Sequence, residues 1–154
     1  MIREIDAFTR KFAADISPDW GSVVKRHGRY FLLSENLKAL LPHEFFSAGI
    51  YLGTIRDGDF TPGFGLLRMI ADGEANKVFV DEKTEWLFIC GRDVFRKGVL
   101  KATGSQEGGS LTIVLNRRGE CIGFGRLVHC FGTKKGGIAV ENMLDVGDFL
   151  RRER

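Results

Sequence analysis

Apolar residues recur at three- and four-residue steps at the start of the chain. Ile5, Phe8, Phe12 and Ile16 make one stripe, which predicts a helix over residues 2–16, stopped by Ser17-Pro18-Asp19. Lys25, Arg26 and Arg29, interleaved with His27 and Gly28, read as a turn feeding a strand over 30–33. Ser34 is placed to cap a short helix that runs to Leu41, where Pro42 stops it. Residues 48–55 and 63–70 are apolar runs joined by Arg56-Asp57-Gly58-Asp59. Asp-Gly between two such runs is a hairpin signal, so both are predicted to be strands. The first 74 residues thus read as a small sheet with helices on it, and Asp72-Gly73-Glu74 is a polar break.

After that break the pattern changes. Six short strand candidates follow, over 77–81, 86–89, 98–103, 111–115, 121–128 and 138–140, most of them separated by Gly-rich turns. Many short strands at this spacing predict a barrel or sandwich. Two helical pieces are predicted between and after them: residues 92–97, bracketed by Gly91 and Gly98, and residues 145–154, with Asp145 as the cap. The organisation expected is therefore two units, 1–74 and 75–154.

Charge separates the halves as well. Residues 1–75 carry 9 Lys/Arg against 10 Asp/Glu, and residues 76–154 carry 14 against 10, so the net charge of +3 comes entirely from the second half. A basic half points to a polyanionic partner, most often nucleic acid. The cations gather in clusters: Arg92, Arg96 and Lys97 around the predicted short helix, Arg117 and Arg118 in a turn, Lys134 and Lys135 in a Gly-bracketed loop, and Arg151, Arg152 and Arg154 at the end. Arg offers a bidentate fork to phosphate and Lys a mobile point charge. As surface charges, Arg151 and Arg152 are expected to matter for RNA affinity and its salt dependence and little for stability.

Catalytic signatures are weak. The sequence holds no G-x-S-x-G elbow, no H-E-x-x-H and no P-loop. His27, His43 and His129 are scattered, and Asp57-Gly58-Asp59 reads as a solvated turn rather than a metal loop. Gly123-Phe124-Gly125 lacks the third glycine of a dinucleotide fingerprint, because position 128 is Val. The pair reads instead as a place where another backbone passes close to a strand. Cys90, Cys121 and Cys130 lie well apart and are expected to be buried, reduced thiols of a cytoplasmic protein. No apolar run approaches the roughly 18 residues of a membrane span, and the start of the chain does not read as a targeting segment. No catalytic residue, metal, cofactor or small-molecule substrate is expected.

From Lys77 onward the chain resembles the PUA domain, named for pseudouridine synthases and archaeosine transglycosylases. The carrying residues are Val78-Phe79-Val80-Asp81, Phe88-Ile89-Cys90-Gly91, Lys97-Gly98-Val99, Ile122-Gly123-Phe124-Gly125 and the ending Asp145-Val146-Gly147-Asp148-Phe149-Leu150-Arg151-Arg152. Tyr30-Phe31-Leu32-Leu33-Ser34, Ser47-Ala48-Gly49-Ile50-Tyr51-Leu52-Gly53-Thr54 and Phe64-Gly65-Leu66-Leu67 are similar to the pre-PUA domain of a ribosome-biogenesis family, nuclear import protein seven, in its compact archaeal form.

The resemblance implies an α+β protein, with an α/β pre-PUA domain followed by a PUA β-pseudobarrel. It implies an RNA-binding adaptor without catalysis, acting in ribosomal RNA processing and large-subunit assembly, with protein partners docking on the N-terminal domain. It places RNA contact at the basic end of the chain, Arg151 and Arg152 with Arg154 beyond them, and near the short helix. Two alternatives stay open. One is an RNA-targeting subunit for an RNA-modifying enzyme. The other is a small enzyme whose site is assembled from His27, His43 or an Asp57–Asp59 metal.

Overall fold

The computed structural model describes residues 2–132 and 136–152 of the chain. Its helices are α1 (Arg3–Arg10), α2 (Phe64–Asp72), α3 (Glu82–Ile89) and α4 (Gly147–Arg152). The strands are β1 (Val23–Arg26), β2 (Arg29–Leu32), β3 (Ile50–Arg56), β4 (Asp59–Pro62), β5 (Lys77–Val80), β6 (Val94–Phe95), β7 (Val99–Thr103), β8 (Leu111–Leu115), β9 (Cys121–Leu127) and β10 (Ile138–Asp145). Three 3₁₀ turns, Trp20–Ser22, Glu35–Leu40 and Arg96–Gly98, connect them.

Strands β1 to β4 form an antiparallel meander in chain order. The Asp57-Gly58 hairpin is present: Arg56 faces Asp59, and both turn residues have positive φ, 52° and 87°, as this tight turn requires. His27 and Gly28 make the same kind of turn between β1 and β2, with φ of 48° and 76°. The first helix is shorter than the predicted 2–16. Ala13 adopts φ of 52° and turns the chain out of the helix. Phe12 nonetheless reaches the core, fully buried. The predicted helix ending at Leu41 is the 3₁₀ stretch Glu35–Leu40.

Three predicted elements change type. Most of 63–70 is helix α2 rather than a strand. It packs between β3 on one side and β8 and β9 on the other, and Leu66, Leu67 and Ile70 are fully buried. A helix covered on two sides keeps little polar stripe, so its short apolar run looks like a buried strand. Residues 86–89 belong to helix α3. Asp81 is its N-cap, accepting a hydrogen bond from the Thr84 N–H at 2.7 Å. Residues 92–97 are not a helix but the two-residue strand β6 followed by the turn Arg96–Gly98. Asp145 does not cap the last helix. It ends β10, which runs well beyond the predicted 138–140.

The second sheet has the order β6-β10-β9-β8-β5-β7, antiparallel except for the parallel pair β5 and β8. Its two edge strands, β6 and β7, are neighbours in the chain, joined only by Arg96–Gly98. Four Cα steps reach at most about 14 Å, whereas a flat six-stranded sheet would hold its edges about 24 Å apart. The sheet must therefore roll up, and it closes as a half-barrel whose seam is bridged by chain. Gly98 is pinned there. Its carbonyl accepts the Asp81 N–H at 2.9 Å, and a Cβ on it would collide with the Thr84 side chain.

Rolling gives the sheet an inside and an outside, and both are buried along β8. Val114 joins Val78, Val80, Phe88 and Val140 in the barrel interior. Leu111, Ile113 and Leu115 face the other way and join Ile5, Phe8, Phe12, Leu66 and Leu67 in a second cluster. This explains why β8 reads as an unbroken apolar run. Phe124 of β9 sits at the centre of the second cluster, its ring 5.7 Å from Phe8 and 5.5 Å from Phe12, both edge-on. Gly123 beside it has φ of 149°, and a Cβ there would overlap the Leu144 carbonyl. The Gly123-Phe124-Gly125 reading as a close-approach strand is correct.

Phe124→Ala is expected to cost about 3–5 kcal/mol, as for a buried Phe in a tight core. Because the ring touches elements from both halves, the loss should appear as one earlier cooperative transition in denaturant unfolding followed by far-UV circular dichroism.

Candidate nucleic-acid interface

The seam places a short cationic segment, 91–98, between the C-terminal end of α3 and the edges of the barrel. Asn142, on β10, holds this segment in place. Its backbone N–H donates to Asp93 Oδ1 at 2.9 Å. Its side-chain NH₂ divides between the carbonyls of Phe88 (2.9 Å) and Arg92 (3.3 Å) and Asp145 Oδ2 (3.1 Å). Arg92 itself is exposed, as is Lys97. Among the described residues no carboxylate lies within ion-pair distance of either. Two mobile cations are thus presented on a fixed backbone.

Arg96 and Arg151 are placed differently. The Arg96 guanidinium donates to the Cys130 carbonyl at 3.3 Å and lies 5.2 Å from the Phe131 ring centre. Its backbone N–H donates to the Gly137 carbonyl at 3.0 Å. Arg96 therefore holds both Cys130 and Gly137. Its Nε is buried and has no partner among the described residues.

Arg151 donates to Asp145 Oδ2 and to the Ile89 carbonyl, both at 2.7 Å. The second bond satisfies one of the carbonyls that the end of α3 leaves open. Asp145 is almost fully buried, so the pair is part of the scaffold. Arg151 is thus an exposed arginine tied to a buried carboxylate rather than a free surface charge. Its guanidinium also lies over Gly91, 3.4 Å from where a Cβ would stand, and so next to Arg92 in space.

Of the predicted contact residues, the structure thus gathers Arg92, Arg96, Lys97 and Arg151 around the segment that follows α3. Arg152 ends α4. Lys134, Lys135 and Arg154 lie outside the described residues. One aromatic that sequence reasoning passed over belongs here: Phe95 is 47% exposed between the cations. The signal for Phe95 was its position, three residues after one Arg and directly before another.

Other candidates stay apart. His27, His43 and His129 are all exposed. Among the described residues no group of three His, Cys, Asp or Glu converges as a metal site. No helix among them is long and apolar enough to cross a membrane. An open groove of about 920 Å³ runs between α1, β4 and the outer face of β8 to β10. It sets Lys11 and Arg126 against Glu4 and Asp59, a balance that offers a polyanion nothing. The cysteines do not match expectation. Cys90 and Cys130 are exposed, and only Cys121 is substantially covered, its thiol pushed up to about 11 by burial.

The profile of the UPF0113 PUA domain family matches residues 76–154. A UPF0113 protein of Archaeoglobus fulgidus is 35% identical over 95 residues, which cover 59% of this chain and 52% of that protein. The chain thus spans about half the length of this curated relative. Among solved structures, a conserved PUA domain protein from Thermoplasma acidophilum superposes with a TM-score of 0.61 at 21% identity, over 98% of this chain and 92% of that one. A protein of Pyrococcus horikoshii OT3 gives a TM-score of 0.55 at 18% identity, over 85% and 77%. At these identities the likeness is one of fold, and it extends across both halves.

Arg151→Ala is expected to lower the melting temperature more than Arg92→Ala does, because it leaves the buried Asp145 carboxylate without its cation. Arg151→Lys should recover part of the loss. Equal melting temperatures for the two alanine variants would mean that the pair contributes nothing to the fold.

Proposed function

The chain belongs to the UPF0113 PUA domain family, and on that premise we propose that it is a non-catalytic RNA-binding adaptor in ribosomal RNA processing and large-subunit assembly. The PUA domain is an RNA-binding module. The finer role is the one implied by the resemblance to nuclear import protein seven. The observation that carries the reading is the pair Arg92 and Lys97, exposed and without a described carboxylate partner, on a backbone that Asn142 and Arg151 hold still. A rigid base under mobile cations suits a phosphate chain, since little order is lost from the protein on binding. Arg92 supplies a fork of hydrogen-bond donors. Phe95 beside it offers a ring to an unpaired base. The N-terminal sheet, nearly neutral in sum, would take protein partners.

The double variant Arg92→Ala/Lys97→Ala is expected to weaken binding of a fluorescent single-stranded oligoribonucleotide in anisotropy titrations. The slope of log affinity against log salt should fall by about 1.4, the value for two lost single-strand phosphate contacts. Unchanged affinity and slope would reject the seam as the contact. Crosslinking in cells should enrich ribosomal precursor RNA; a transfer- or messenger-RNA signal would reject the assembly role.

A further inference from the structure

The N-terminal sheet carries its own cationic end. In the β1–β2 hairpin, Arg26 stands directly opposite Arg29. Like charges placed face to face across two strands are destabilising, and among the described residues no carboxylate is within ion-pair distance of either. Exposed Lys25 and His27 flank the pair. Burial pushes the Tyr51 phenol above its ordinary pKa, and the positive charges of Arg29 and Arg56 oppose that shift. Three arginines therefore share this end of the sheet.

Each arginine of the hairpin lies on a ring. The Arg29 guanidinium is 4.3 Å from the Phe46 ring centre, and Arg26 is 5.5 Å from that of Phe45. The two are further tied to the loop, Arg26 through the Leu41 carbonyl at 2.9 Å and Arg29 through that of Phe46 at 3.4 Å. Phe45 packs edge-on to Phe31 in a small separate core with Leu33 and Ala48, which anchors the loop. Phe46 does not join that core. It is 80% exposed, more than any other large apolar residue described. A shallow cleft of about 280 Å³ lies between these residues, with Glu44 as its one acidic wall.

We propose that this cleft is a second single-stranded RNA contact, in which an unpaired base stacks on Phe46 and flanking phosphates sit on Arg26 and Arg29. An exposed ring backed by a guanidinium, beside cations left unpaired by the protein, is the combination that single-strand sites use. An apolar protein partner would account for Phe46 alone. It would not account for two opposed arginines that no described carboxylate reaches within ion-pair distance, which call for an anion. The inference rests on the reading of the protein as an RNA binder and adds to it a site outside the PUA half.

The test uses the whole protein, an oligoribonucleotide carrying 4-thiouridine, and three variants: Phe46→Ala, Arg26→Ala/Arg29→Ala and Arg92→Ala/Lys97→Ala. Phe46→Ala should weaken binding about tenfold, within the range for one lost base–aromatic stack, and leave the salt slope unchanged. Arg26→Ala/Arg29→Ala should lower that slope by about 1.4. Photocrosslinking should attach the RNA to the peptide that contains Phe46. Melting temperatures check that the variants fold. Wild-type affinity in both N-terminal variants with no crosslink at Phe46, while the seam variant is weakened, overturns the inference alone and leaves the patch to a protein. Failure of the wild-type protein to bind RNA overturns both readings.

Discussion

Three residues, Arg96–Gly98, must join the two edges of a six-stranded sheet. That requirement is met only if the sheet rolls, and most of the structure follows from the rolling. The concave side becomes a closed apolar interior plugged by Phe88 from α3. The convex side of β8 and β9 is left apolar and must be covered, and α1 and α2 cover it, with Phe124 lodged against Phe8 and Phe12. The N-terminal half is thus the outer wall of the barrel as well as a sheet in its own right. The bridge lies at the seam, where Arg96 is partly covered and Lys97 exposed. It and the residues just before it put Arg92, Arg96 and Lys97 together.

Those cations divide into two groups, and the division is physical. Arg151 and Arg96 make hydrogen bonds that tie α4 to the end of α3 and the bridge to Cys130. Arg92 and Lys97 are held by their backbones and have exposed side chains. A site built this way has ordered support and adaptable contacts, the arrangement suited to a backbone such as RNA that presents phosphates at varied angles. Asn142 is central to it. One amide connects the end of α3, the segment after it and the buried Asp145. The hairpin arginines follow the same logic at the other end of the molecule, with aromatic rings in place of the amide.

Parts of this were legible in the sequence. Asp57-Gly58 declares its hairpin and His27-Gly28 its turn, because both need positive φ; the strand before His27 was not read. The glycines around Phe124 declare a strand approached closely by another, as Gly123 is by Leu144. The two helices α2 and α3 were hidden for different reasons. α2 is covered by sheets on two sides and shows only a narrow polar stripe, Arg68 and Asp72. α3 begins at Asp81, which was assigned to the preceding strand although it stands three residues before its hydrogen-bond partner Thr84. The candidate contacts were legible as a basic set but not by role. Charge counts alike for Arg92 and Arg151, and only the position of Asp145, six residues before Arg151 and buried, tells them apart. Phe46 was invisible because an exposed and a buried Phe are the same letter. Cys90 was expected inside for the same reason.

Backbone amide chemical shifts of the protein, followed during titration with a short single-stranded RNA, test the seam most directly. The account predicts that amides of Gly91, Arg92, Phe95 and Lys97 shift as the RNA is added, while those of the covered strand β8 stay in place. Seam amides that do not move at saturating RNA would contradict it.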